Sequence, residues 1–215
     1  RGTSPIDLLR LVQSLFLNNF HILNVIGPHR KRPGRIEILN PNDLGDNIGT
    51  QGENISNILS RASISQIKEL NRRFKDLEIP YSVTIKKFKE DETISQTLVT
   101  DENGLSVSLT DVGYGVEQVL PIVIECIISK NKIITIEQPE LHLHPKLQAN
   151  LTDLIIWSSQ KNDNKFILET HSEHLILRLQ RRLRENFEIG EKSDPEITNL
   201  SNNVTINVVT MNKKE

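Results

Sequence analysis

Residues 132–145 read Lys132-Ile133-Ile134-Thr135-Ile136-Glu137-Gln138-Pro139-Glu140-Leu141-His142-Leu143-His144-Pro145. A short β-branched apolar run ends in a carboxylate, and a proline suited to the first position of a helix follows the polar stretch after it. The helix opened by His144-Pro145 carries Leu147, Leu151, Leu154 and Ile155 on one face. Phe166-Ile167-Leu168 then reads as a second apolar strand, residues 172–187 as a second helix, and the alternation of Val204, Ile206 and Val208 as a third strand. Strand, helix, strand, helix, strand predicts parallel βαβ units whose strands are buried on both faces. In such sheets ligands bind beyond the carboxyl ends of the strands, so the residues directly after each strand carry the functional question.

Upstream the rhythm differs. Ser4-Pro5-Ile6-Asp7 reads as a helix start, followed by Leu8, Leu11, Val12 and Leu15 at helical spacing. His21 to Ile26 reads as a strand closed by Gly27-Pro28. Residues 27–52 hold five of the ten glycines, with Arg30, Lys31, Arg32 and Arg35 close together, and predict a long loop. Residues 53–79 read as helical. Runs at 82–89, 94–100 and 105–109, separated by charged or Asn-Gly turns, predict an antiparallel meander. The division expected is residues 1–112 as a helical, loop and antiparallel segment, and 113–215 as the lobe bearing the strand-end motifs.

Composition narrows the function class. Leu, Ile, Val and Phe form about a third of the 215 residues, well above the level of disordered chains. The 26 basic and 28 acidic residues nearly cancel, which argues against a generally basic nucleic-acid-coating protein. One cysteine, Cys126, lies in an apolar run, and this excludes a disulfide scaffold or a multi-cysteine zinc site. No apolar run reaches the ~18 residues of a membrane-spanning helix, so the expectation is a soluble, cytoplasmic chain with no membrane partner. The chain opens on Arg1, and its last strand-like run stops almost at Glu215; both features fit a piece of a longer protein.

Three segments stand at the predicted strand ends or lead into them: Glu137-Gln138-Pro139-Glu140-Leu141-His142-Leu143-His144-Pro145, Glu169-Thr170-His171-Ser172-Glu173-His174, and Asp111-Val112-Gly113-Tyr114-Gly115-Val116-Glu117-Gln118-Val119-Leu120. With Ile26-Gly27-Pro28-His29-Arg30 and Gly52-Glu53-Asn54, their order and spacing resemble the C-terminal half of an ABC/SMC-type ATPase head. Within that superfamily they are most similar to the bacterial "predicted ATPase" group with an AAA-like ABC core. The resemblance covers roughly residues 20–187. It implies an α/β, P-loop NTPase-like head with a small antiparallel insertion, ATP and Mg²⁺ as cofactors, and a homodimer in which two heads sandwich ATP.

Carried over residue by residue, the resemblance places Glu137 as the Walker B carboxylate that holds Mg²⁺. Gln138 takes the position of the glutamate that polarises the attacking water. An amide orients water but cannot accept its proton, which implies slow turnover or a base borrowed from Glu140. His144 falls at the D-loop position facing a partner subunit, and His171 at the switch position that reads the γ-phosphate. Gly113, Gly115 and Gln118 belong to the signature turn, whose N–H groups meet the opposing subunit's nucleotide. Gly113 stands where that signature has a serine, leaving Thr110 or backbone amides to substitute.

The phosphate-cradling Gly-x-x-x-x-Gly-Lys-Ser/Thr is not in the sequence, since no glycine is followed by lysine. The resemblance places that loop upstream of Arg1. The alternative is a non-hydrolysing scaffold or binding module in a larger assembly. A metal-dependent nuclease is disfavoured because no Asp-x-Asp pair occurs.

His142, His144, His171 and His174 have zinc-like spacings, but packing around the loop is the favoured reading for His142 and His174. The basic cluster at 30–35, and Arg178, Arg181, Arg182 and Arg184 on the last helix, are read either as solvated faces or as contacts to phosphate, nucleic acid or an acidic partner. Relatives of this architecture serve in DNA repair and in phage defence with partner nucleases, so those settings, with an effector or nuclease partner, are the expected ones.

Overall fold

The computed structural model describes residues 22–40, 47–88, 91–188 and 204–207. The helix expected from Ser4, the start of the first strand at His21 and the end of the last at Val208 lie outside them. In chain order the elements are β1 (Leu23–Ile26), β2 (Glu37–Ile38), α1 (Ile55–Arg61), α2 (Ile64–Asp76), β3 (Ser82–Phe88), β4 (Asp91–Thr100), β5 (Ser106–Ser108), α3 (Tyr114–Ile128), β6 (Ile133–Glu137), α4 (Pro145–Asn162), β7 (Lys165–Glu169) and α5 (Glu173–Glu188). A 3₁₀ turn at Leu109–Asp111 leads into α3. The chain is α/β, as expected.

Two sheets organise it. β1, β6 and β7 form a parallel sheet in that order, with Ile26 opposite Ile136 and Glu137 opposite Glu169. β1 comes from the N-terminal segment and β6 and β7 from the C-terminal one, so both segments share this sheet. The second sheet is antiparallel, with β3 on one edge of β4 and both β2 and β5 on the other. This is the expected meander, extended by β2, which arises inside the long glycine-rich loop. Asp101 accepts hydrogen bonds from the Asn103 and Leu105 amides, and Gly104 at φ +83° turns the chain from β4 to β5.

The expected helix over 53–79 is two helices. Ser63 accepts from the Gln66 amide and the Gln66 side chain accepts from the Ser63 amide, a reciprocal cap that starts α2 afresh after α1. α2 then buries Leu70 and Phe74. α3 is buried on every side from Glu117 to Ile127 and continues through Pro121, although that residue has no N–H for the helix ladder. Its ring lies against Gly52, where an added Cβ would stand 3.3 Å from it and where φ is +81°, so the Gly52-Glu53-Asn54 element packs on α3 only as glycine. Cys126 is fully buried within α3, and its carbonyl accepts from Ser158 and Asn162 of α4. Buried Glu125 accepts from Asn24 and Ser129, which ties α3 to β1.

One apolar cluster runs from Ile26, Ile134 and Ile136 of the parallel sheet through α2, α3 and α4 to Val83 and Val99 of the antiparallel one. The expectation that the parallel strands are buried on both faces does not hold among the described residues. Ile134, Ile136, Phe166 and Leu168 face the core. On the opposite face, where no described helix packs, Ile167 is 59 % exposed. Residues 204–207 have no strand geometry, so the third strand of the predicted βαβ series is instead β1, the first in sequence.

The helix pair α4–α5 is fastened by charge. Asp153 accepts from both Arg178 (2.6 Å) and Arg182 (2.7 Å). Burial works against the ionised carboxyl, but the two guanidiniums outweigh it and hold Asp153 below its ordinary 3.8. These two arginines therefore serve the fold.

Candidate functional site

The carboxyl ends of β6 and β7 build the rim. The Gln138 amide donates to the Glu169 carbonyl at 2.8 Å, which continues the β6–β7 ladder one residue past the strand. Gln138 then turns at φ +44°, a left-handed conformation uncommon outside glycine and asparagine. Two tight turns follow: the Leu141 amide donates to the Gln138 carbonyl and the Leu143 amide to that of Glu140, with His142 at φ +61°. His144 ends this loop as the N-cap of α4; its Nδ1 accepts from the Lys146 amide at 3.3 Å, with Pro145 at the first helical position.

Glu137 and Glu169 are register partners, so their side chains leave the same face of the sheet. That is the face opposite buried Ile134 and Ile136, and among the described residues no side chain pairs with either carboxylate. His171 lies two residues beyond Glu169, exposed, with its amide donating to Glu140 Oε1 at 2.7 Å. Thr170 Oγ1 donates to Glu140 Oε2 at 2.8 Å.

The first turn of α3 meets the same loop. An added Cβ at Gly115 would stand 2.9 Å from the His142 carbonyl oxygen, and the Tyr114 and His142 rings meet edge to face at 4.7 Å. Gly113, the N-cap of α3, has open space around it. Replacing Gly115 by valine therefore forces backbone apart and should cost about 1–3 kcal/mol, read as a lowered denaturation midpoint. Gly113→Ser, a favoured cap in free space, should leave the midpoint unchanged or raise it.

Arg30 joins these parts from beneath. It is 4 % exposed, its Nη2 donates to the carbonyl of Glu137 at 3.1 Å, and Gln118 Nε2 donates to the Arg30 carbonyl at 3.4 Å. Its Nε and Nη1 have no acceptor among the described residues. Burial lowers its pKa from 12.5 to about 10, opposed by the nearby Glu140 and Tyr114, so it stays cationic at neutral pH. Arg32 and Arg35 of the basic cluster are engaged locally. Arg32 Nε donates to buried Glu117 at 3.2 Å and its Nη2 to the Thr110 carbonyl at 3.0 Å, while Arg35 grips Asp111.

Gln138, Glu140, His171, Glu137, Gly113, Gly115, Gln118 and His144 thus lie on the β6 and β7 ends and on the α3 turn against them. Gln118 is the exception in exposure: at 1 % it faces inward, toward Arg30. Among the described residues no three His, Cys, Asp or Glu side chains converge as a metal cage, and His142 and His144 serve ring packing and capping. Two carboxylates on one rim, unpaired among the described residues, do fit a Mg²⁺ ion, which takes one or two protein carboxylates and completes its shell with phosphate and water. Sequence reasoning passed over Arg30 as a structural link, and also Glu169 and Thr170. For Glu169 the signal was present, since it ends β7 as Glu137 ends β6.

The fold and this rim, with carboxylates and an exposed histidine at the carboxyl ends of β6 and β7 and a glycine-bearing helix start facing them, define an α/β domain with a parallel and an antiparallel sheet. A family profile described as AAA ATPase domain matches residues 37–176, and the chain belongs to that family.

Solved structures similar to it include the SMC head domain with an extended coiled coil bound to the C-terminal domain of ScpA from Pyrococcus furiosus. That pair is 14 % identical over 59 % of this chain and 33 % of that one, with a TM-score of 0.46. A structure from work on ATP-driven dimerization and DNA-stimulated activation of SMC ATPases is 13 % identical over 57 % and 77 %, with a TM-score of 0.46. The SMC head domain from Thermotoga maritima is 11 % identical over 59 % and 44 %, with a TM-score of 0.40. The chain spans about a third of the first of these. None of the curated proteins compared with it matches. No helix among the described residues is long and apolar enough to cross a membrane.

Proposed function

We propose that this chain forms the C-terminal half of an ABC-type ATPase head, an ATP-driven switch that works as a homodimer once a phosphate-cradling loop N-terminal to Arg1 is joined to it. The observation that carries the reading is the pair of carboxylates Glu137 and Glu169, without side-chain partners among the described residues, in register on one rim with His171 two residues beyond Glu169. Glu137 holds Mg²⁺, which when bound neutralises charge on the phosphate oxygens. Gln138 orients the attacking water, and His171 hydrogen-bonds the γ-phosphate and senses its loss. Gly113, Gly115 and the N-terminal turn of α3 face the nucleotide of the opposing subunit, and His144 lies at that same interface. DNA repair and phage defence, with an effector or nuclease partner, are the settings in which such a switch is placed.

The test is release of inorganic phosphate from ATP by the full-length gene product. Release with Mg²⁺ that ceases on chelation is the expected result. A second reading, a non-hydrolysing scaffold, is favoured by one residue, Gln138, which has no basic lone pair to take a proton from water. Tight nucleotide binding with no phosphate release would select it.

A further inference from the structure

By sequence alone, with Glu137 assigned to the metal, Glu140 is the next carboxylate along from Gln138 and so the natural substitute for the base that Gln138 cannot be. Its surroundings assign it other work. Both oxygens are committed: Oε1 accepts from the His171 amide at 2.7 Å and Oε2 from the Thr170 hydroxyl at 2.8 Å. The Thr170 oxygen in turn accepts from the Ser172 amide at 3.0 Å. Ser172 Oγ donates to Gln148 Oε1 at 2.6 Å, and Gln148 Nε2 donates back to the Leu143 carbonyl at 2.9 Å and that of Glu140 at 3.4 Å.

These bonds close a ring through the β6 turn, the first turn of α4 and the end of β7. Both bonds from the β7 end are donated to Glu140, one by an N–H and one by an O–H, so each carboxylate oxygen serves as an acceptor.

We infer that Glu140 is a positioning residue, whose two carboxylate oxygens fix the Thr170–His171 segment so that the His171 ring is presented at the rim shared with Glu137. Thr170 and Gln148 are its working partners. The inference rests on the ATPase reading for its catalytic consequence, but the clasp itself does not.

The experiment has two arms, both on the full-length protein. In the nucleotide-free state, Glu140→Ala should raise hydrogen exchange at the His171 amide by about tenfold or more, because its acceptor is gone, while the Gln138 amide, bonded to Glu169, keeps its protection. Unchanged exchange at His171 would overturn the clasp whether or not the protein hydrolyses ATP.

In the second arm, Thr170→Val, which removes no titratable group, should lower kcat for ATP by about fivefold or more with KM nearly constant. The double variant Glu140→Ala/Thr170→Val should be no worse than Glu140→Ala within about twofold, as expected for residues sharing one interaction. Glu140→Gln, which keeps one acceptor oxygen, should retain more activity than Glu140→Ala. The opposite pattern overturns the assignment: Glu140→Gln as inactive as Glu140→Ala, Thr170→Val at full rate, and loss of the acidic limb of the pH–rate profile, which together mark a proton acceptor. Absence of ATP hydrolysis in the unaltered protein would remove the ATPase reading and leave the exchange arm to decide the clasp.

Discussion

Glu137→Ala in the full-length protein should reduce Mg-ATP hydrolysis by about a thousandfold or more while leaving the fold intact. The magnitude follows from what the carboxylate does in the proposed site. It anchors the ion that offsets charge building on the phosphate oxygens, and loss of such electrostatic stabilisation in a preorganised site costs about 10²–10³ even for a single neutral donor. The tolerance of the fold follows from the register of β6. Ile134 and Ile136 carry that strand's core contacts on one face, and Glu137 leaves from the other with no side-chain partner among the described residues. Its truncation opens no cavity, so the unfolding midpoint should move by no more than about 0.5 kcal/mol equivalent. Phosphate release and a denaturation curve on the same preparation check both halves. Unchanged turnover would remove Glu137 from the metal site and with it the observation on which the functional reading stands.

The second large effect concerns His171. Its main chain is fastened by Glu140, whereas its ring is exposed. His171→Ala should therefore cut turnover by about a hundredfold or more with nucleotide binding changed less than about threefold, since in the proposed site the phosphate cradle lies elsewhere and only the group proposed to read the γ-phosphate is lost. Equilibrium binding of ATP beside single-turnover hydrolysis separates the two quantities. Binding abolished, with normal turnover per bound ATP, would make His171 an anchor instead of a switch.

Much of this arrangement was legible because the strands advertise themselves. Ile133 to Ile136 and Phe166 to Leu168 are short, apolar and punctuated, and each is followed by a carboxylate, so the rim could be named before any coordinates. Boundaries were less legible where two signals overlapped. The Ser63–Gln66 cap lies inside a stretch whose apolar spacing reads as continuous helix, and only the reciprocal hydrogen bonds reveal the break. Val204 to Val208 alternate like a strand and so read as the third member of the series, and the place of β1 beside β6 was not legible. Strand pairing depends on which segment reaches the edge, and β1 does so from more than a hundred residues upstream. Arg30 was visible as the end of the Ile26–Arg30 segment and as one of four clustered cations, but not as a buried link. Nothing in its spacing separates the one that is buried against Glu137 from Arg32 and Arg35, which are tied to acids near α3. The role of Glu140 was equally hidden, since a carboxylate that accepts a proton and one that accepts hydrogen bonds from a neighbouring strand end are the same letter.

The lone cysteine gives the molecule its own chemical clock. Burial pushes the Cys126 thiol well above its ordinary range, with Glu125 beside it adding to the effect, so the nucleophilic thiolate is scarcely populated while α3 stays seated. An alkylating reagent reaches the sulfur only when α3 lifts away from α4 and β1, and α3 begins at the turn that touches the His142 carbonyl. The labelling rate of this single atom, followed with and without nucleotide, therefore times the excursions of the helix on which the proposed signature turn is mounted.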